Sequence, residues 1–243
     1  MRRSLFNRWC ILKHLAASIR FNFHYLPFRQ AIRLPVVFMS PSSFHALRGT
    51  VIIHGPIRHA MISLGLPGND MFSRKNRILW NVEGSCTFNG SVAVNPGSSI
   101  TVRPEGCLRF GNHVSLGQRT KILCSDTIEL GDNVLISWDC LLMDNDGHPF
   151  YDFDHDRVLC SSRAIKVGDE TFIGSHCSLL KGAVLPNNSA LASSSLLNRK
   201  MEDRFALYAG IPARLVKRNI ARIIDEKNHK AGIEALKKKF ASL

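Results

Sequence analysis

Residues 144–156 read Asp-Asn-Asp-Gly-His-Pro-Phe-Tyr-Asp-Phe-Asp-His-Asp, two imidazoles among five carboxylates. A neutral imidazole, with an ordinary pKa of about 6.5, takes a proton from a hydroxyl at cellular pH, and a carboxylate on its other nitrogen orients it. His148 is the first candidate for such a base. Asp144 and Asp146 are the carboxylates nearest to it in sequence, and Asp146 is preferred as its orienting partner. His155, directly after Asp154, is the rival, as a second Asp-His pair or a contact to an acceptor. His113 and His176 keep another chemistry open, because three histidines can hold a zinc ion. The seven cysteines offer no such site. They are scattered, odd in number and include no Cys-x-x-Cys pair, which fits a reducing compartment and argues against disulfides.

The apolar pattern shows what must hold these groups. Val167, Ile173, Leu179, Leu185, Leu191 and Leu197 recur at intervals of six. Strands alternate every two residues and amphipathic helices return every 3.6, so neither produces this period. A parallel β-helix does, with one branched side chain per flat face stacking on its equivalents in neighbouring turns. The period also runs through Val82, Phe88, Val94 and Ile100, then Phe110, Leu116, Ile122 and Ile128. After a two-residue shift it continues through Leu130, Ile136 and Leu142. Three starts read alike, Phe110-Gly-Asn-His-Val, Leu130-Gly-Asp-Asn-Val and Val167-Gly-Asp-Glu-Thr, and the residues after the inward one are expected at corners needing positive φ. Residues 66–78 read as a loop leaving the coil. From Asp144 through Lys166 the period breaks, and excursions from a rigid coil are where functional residues tend to sit.

The formal charge of +13 sits at the ends. Residues 1–69 hold nine Arg or Lys and no acid, residues 70–198 come to −3, and residues 199–243 to +7. A near-neutral body without an aromatic-interleaved basic motif is not a nucleic-acid binder. The expected organisation is a basic helical segment over 1–49, a β-helix over 50–199 with its loop at 144–166, and an extension over 200–243. Ile220, Ile223, Ile224, Ile233, Leu236 and Phe240 mark a closing helix. At the other end Leu5, Trp9, Leu12, Ala16, Ile19 and Phe23 step by three and four into one apolar stripe. Arg2, Arg3, Arg8, Lys13 and Arg20 interrupt it, so no apolar run of membrane-spanning length exists; the Arg-Arg start is open to a signal peptide, but Lys13 and Arg20 break the apolar stretch and no small-x-small cleavage site follows cleanly. Such a helix either lies on an anionic membrane surface, or caps the open end of the coil or meets a neighbouring subunit.

Leu130-Gly-Asp-Asn-Val-Leu-Ile, Asp146-Gly-His-Pro, Phe172-Ile-Gly-Ser, Leu180-Lys-Gly-Ala-Val and Ala209-Gly-Ile-Pro-Ala-Arg together give the chain its resemblance. It resembles the hexapeptide-repeat acyltransferases, in the sugar O-acetyltransferase branch of galactoside and maltose acetyltransferases, over about Thr50 to Asn219. The resemblance implies a mainly β protein, a left-handed parallel β-helix, a handedness that general crossover rules do not give. It implies a homotrimer with sites between subunits, acetyl-CoA as donor, no metal, and a carbohydrate acceptor. His148 is then the catalytic base. The donor's pantetheine arm would lie along a groove past Ser175 and Ser193. Asn198-Arg199 matches the family's Thr-Lys pair, and Arg214 and Lys217 match its two terminal basic residues, suited to phosphates. The chain departs from the pattern with Ala192 and Ser194 where glycines are usual, Phe172 for a Trp, and Asn198 for the Thr. The expected activity is O-acetylation of a sugar hydroxyl in a surface polysaccharide, glycolipid or glycan precursor. Two alternatives are N-acylation of an amino-sugar nucleotide and a zinc-binding trimer of the γ-carbonic anhydrase type. The expected location is the cytoplasm, with peripheral contact at the inner membrane face open to the N-terminal helix.

Overall fold

The computed structural model describes residues 9–66, 68, 71–73, 75–225 and 228–242; Arg2, Arg3, Leu5 and Arg8 of the expected stripe lie outside the described residues. Parallel strands spiral through three sheets of nine, seven and six strands, the walls of a triangular prism. The seven-stranded sheet takes one strand from every turn, from Ser42–Ala46 to Leu196–Leu197, so the coil has seven turns. The winding is that of a left-handed β-helix.

The period of six is the inside of this prism. Every position named from it is at most 3% exposed. On the seven-stranded wall Trp80, Ile100, Ile122, Leu142, Leu179 and Leu197 stand in register, one above another. On the six-stranded wall Phe88 and Phe110 stack at 5.1 Å with rings 5° from parallel. Each fully buried side chain of this size stabilises by roughly 1.5–3 kcal/mol over its exposed state.

The corners correct one expectation. Gly111, Gly131 and Gly168, which follow the inward residues, do not have positive φ. They are glycines because neighbouring turns are too close there: an added Cβ would meet Gly131 C at 2.5 Å from Gly111, and Asn187 N at 2.5 Å from Gly168. The left-handed residues come two places later, at His113, Asn133 and Glu170, with φ of 57°, 57° and 59°. The polar residue between them has a separate task. Asn112 N donates to Asp132 Oδ1 at 2.7 Å, Asp132 N to Asp169 Oδ1 at 2.8 Å and Asp169 N to Asn187 Oδ1 at 3.1 Å. One ladder of short acceptors thus satisfies the amides turned out of the coil at this edge.

The coil also begins earlier than residue 50. Val36–Phe38, Ser42–Ala46 and Thr50–Ile53 form its first turn, pairing with Ile62–Leu64, Ile78–Val82 and Ser85–Phe88. Pro35 and Pro41 stand just ahead of two of these strands, where a missing amide is tolerated, and three- to five-residue strands are too short to show a period. Helix α1, Leu15–Tyr25, lies across the open end and α2, Phe28–Ala31, follows it. The stripe on α1 points the opposite way from a core-facing one. Ser18, Phe21 and Asn22 face inward, while Trp9, Leu12, Ile19 and Phe23 face out. Asn22 Nδ2 donates to Val36 O at 2.6 Å, its Oδ1 accepts from Val36 N at 3.2 Å, and Ser18 Oγ accepts from Phe38 N at 2.9 Å. The side chains take the place of an absent neighbouring strand. Phe21 packs edge-on against Phe38 and Trp80 beneath them.

At the far end Ala206–Gly210 joins the nine-stranded sheet and Ala213–Arg218 returns antiparallel beside it. The closing helix α3 covers His229–Ala241, not 220–240, because Asn228 caps it by accepting from Ala231 N at 3.2 Å. Residues 220–225 are irregular and Arg222 Nη2 donates to Asn133 O at 2.6 Å.

Candidate active site

Among the described residues two excursions leave the coil, one between Leu64 and Ile78 at the edge between the nine- and seven-stranded walls, and 144–164 at the edge between the seven- and six-stranded walls. The second carries the imidazoles. Its root is Asp144, fully buried, whose two oxygens accept from Ser125 N at 2.8 Å and Asp126 N at 2.9 Å. That carboxylate is spent on the backbone of the turn below and does not orient a ring. Asp146 is held by Lys181, which also donates to Cys160 O at 2.9 Å and so ties both legs of the excursion to the next turn. Asp146, the preferred partner of His148, is thus engaged elsewhere within the chain. His148 follows Gly147, at φ 76° with open space around it, and is exposed. Among the described residues none hydrogen-bonds its ring.

The pairing seen in this loop belongs to His155. Its Nδ1 meets Asp152 Oδ2 at 2.8 Å, on the hairpin of Tyr151–Asp152 and Arg157–Val158, with Arg157 Nε at 3.8 Å from the same oxygen. Asp152, three residues before, rather than the adjacent Asp154, supplies the carboxylate. The i,i+3 spacing across a hairpin turn was the signal for it. Lys181 was also legible, inside the Leu180-Lys-Gly-Ala-Val motif, though only the fold shows that it locks the excursion.

The donor candidates fall into three places. Ser175 and Ser193 meet on successive turns, Oγ to Oγ 3.3 Å, at the edge between the nine- and seven-stranded walls. Asn198 and Arg199 lie at the opposite edge of the seven-stranded wall, exposed, two turns beyond the His148 excursion. Arg214 and Lys217 are exposed on the terminal antiparallel strand. Ser194, where the family has glycine, takes φ 59° as Arg119, Asp139 and His176 do at the same corner of earlier turns, so the substitution leaves the corner's path unchanged. His176 Nε2 lies 3.6 Å from Asp139 Oδ2, which Arg119 also engages at 2.5 Å. Arg119 in turn covers Phe72, whose ring is 6.2 Å from Trp138, so the first excursion lays an aromatic pair along the edge that carries Ser175. His113 and His176 occupy different edges of the prism, and among the described residues no three His, Cys, Asp or Glu side chains gather as a metal would need.

No family model matches the chain. A probable acetyltransferase of Mycobacterium tuberculosis is 33% identical over 128 residues, 51% of this chain and 42% of that protein. The galactoside O-acetyltransferase of Escherichia coli K12 is 25% identical over 127 residues, 50% of this chain and 62% of that protein. The shared stretch thus spans about half the length of these relatives. Among solved structures, a polysialic-acid-specific acetyltransferase superposes with a TM-score of 0.59 at 17% identity, over 86% of this chain and 88% of that one, which establishes the fold. The chain shares the left-handed β-helix fold of that structure.

Proposed function

We propose that the protein is an acetyl-CoA-dependent O-acetyltransferase acting on a sugar hydroxyl of a surface polysaccharide, glycolipid or glycan precursor. The observation that carries the reading is the exposed His148 ring, which no described residue hydrogen-bonds, presented by an excursion that Asp144 and Lys181 anchor to a rigid coil. Relatives named for galactoside and polysialic acid acetylation support a carbohydrate acceptor. His148 would take the proton of the acceptor hydroxyl as its oxygen attacks the thioester carbonyl. The carbon–sulfur bond then breaks, and the imidazolium returns the proton to the departing thiolate. No covalent enzyme intermediate is required.

One chain cannot assemble the whole site along one edge. His148, Asn198 and Arg199 share one edge of the seven-stranded wall, and Ser175 and Ser193 mark the other. A homotrimer of parallel prisms would set one chain's excursion against its neighbour's serine edge. Arg199, Arg214 and Lys217 would then meet the phosphates of the donor as exposed cations. Free cysteines and use of acetyl-CoA favour the cytoplasm; among the described residues no helix is long and apolar enough to cross a membrane.

Thiol release from acetyl-CoA, measured with purified protein against panels of sugar and amino-sugar acceptors, tests the reading. Turnover on hydroxyl acceptors is expected, whereas turnover only on amino-sugar nucleotides would replace it with N-acylation. His148→Ala should lower kcat about a hundredfold or more with acetyl-CoA affinity nearly unchanged, and His155→Ala should cost far less. A near-normal rate for the His148 variant would remove that residue from the mechanism.

A further inference from the structure

The helix closing the coil turns Ser18, Phe21 and Asn22 in and leaves an apolar stripe out. Ser18 and Asn22 satisfy the first strand, while Trp9, Leu12, Ile19 and Phe23 are 58%, 67%, 43% and 47% exposed. Phe28 and Ile32 extend the patch at 70% and 55%. The rings of Phe23 and Phe28 meet edge to face at 6.0 Å, so the patch is continuous across the break between α1 and α2. Folding does not need these side chains there, and a contiguous exposed apolar surface marks an interaction site.

Charge says which kind. Lys13, Arg20, Arg29 and Arg33 are exposed around the patch, and no acid occurs before Asp70. A protein partner of ordinary composition would find no counter-charge to answer its own basic groups. An anionic lipid surface answers every one of these cations. Direction agrees. At about 100° per residue, Ile19 and Phe23 lie roughly 130° round the helix from the centre of the buried Ser18, Phe21 and Asn22 face, turned away from the end of the coil. The flanks of the prism, not this end, are what neighbours in a parallel trimer would cover.

We propose that this end docks on an anionic phospholipid surface, with Trp9, Leu12, Ile19, Phe23 and Phe28 at headgroup depth and the basic residues on phosphates. The prism then stands away from the membrane. Turns stack at about 4.8 Å, so four spacings and a helix about 10 Å thick hold His148 on the order of 30 Å above the lipid. On the acetyl-transfer reading, on which this last step rests, that height suits an outer sugar of a lipid-linked glycan.

The test is sedimentation of the full chain with vesicles of phosphatidylglycerol and phosphatidylethanolamine, or of phosphatidylcholine alone. Binding to the anionic vesicles, weakened by salt, is expected, with little binding to phosphatidylcholine. The combined variant Trp9→Ser, Leu12→Ser, Ile19→Ser and Phe23→Ser should bind at least tenfold less, with unchanged elution volume and unchanged turnover on a soluble acceptor. Lys13→Gln with Arg29→Gln, which leaves the apolar patch intact, should weaken anionic binding several-fold. Wild-type protein that ignores both vesicles, or apolar variants that bind as well as wild type, would overturn the proposal. A change in elution volume on removing the patch would overturn it too, by assigning the surface to a second copy of this chain. Vesicle binding without acetyl transfer would leave docking standing and remove only the enzymatic reading.

Discussion

His148 and His155 share one excursion and differ in what holds them. The Asp152 carboxylate sits on Nδ1 of His155, while no described residue hydrogen-bonds the ring of His148. The cysteines divide as clearly. Cys10, Cys86, Cys124, Cys140 and Cys177 are buried, Cys107 is half-buried and Cys160 is exposed. Burial pushes the thiols of Cys86, Cys124 and Cys177 up and that of Cys140 up to about 12. Buried thiols held neutral neither attack reagents nor ionise at cellular pH. A thiol reagent at pH 8 should therefore modify Cys160 within the mixing time, and Cys86, Cys124, Cys140 and Cys177 only after denaturant is added. The sign for stability follows. A group whose pKa is raised on folding supports the fold below its unfolded pKa, and the support is lost as pH climbs through the folded one. The denaturant midpoint should fall as pH rises from the ordinary thiol range towards 12.

Elements here are held by their neighbours above and below rather than by their own propensity. The strands are two to six residues long, and the Asn112, Asp132, Asp169 and Asn187 ladder satisfies corner amides that no strand could. The first strand has no turn above it, so Ser18 and Asn22 stand in. Asn22→Ala leaves both the amide and the carbonyl of Val36 buried without partners, at a cost of about 1–3 kcal/mol. A denaturant titration should show that loss, and hydrogen exchange at Val36 and Phe38 should rise well before exchange in the middle turns. An unchanged midpoint would mean that water replaces the asparagine. Which way α1 faces was not legible from its stripe, because periodicity locates an apolar face without saying what it meets. Asn22 and Ser18, polar residues spaced one helical turn apart, were the unread signal.

At the scale of the molecule the candidate residues are divided across the seven-stranded wall. If neighbouring chains complete it, a His148→Ala chain and a Ser175→Trp chain, each inactive alone, should recover activity when unfolded together and refolded. Random assembly returns roughly a quarter of the sites, since each needs its excursion from one kind of chain and its serine edge from the other. No recovery on mixing would place both edges of each site in one chain.

The fold and the address of the imidazoles were set by the sequence alone. A period of six points to a coil with flat faces, and the long aperiodic stretch within it marks an excursion. Val167 to Leu197 and residues 144–166 said both. Partnerships between side chains were decided only in three dimensions. Asp146 goes to Lys181, thirty-five residues on, and Asn22 to Val36, because stacking places whole turns in register and brings together groups that the chain separates by many residues. The corner glycines show the same division: their positions were plain in the sequence, but the reason for them, contact between turns and not backbone angle, exists only once the turns are stacked.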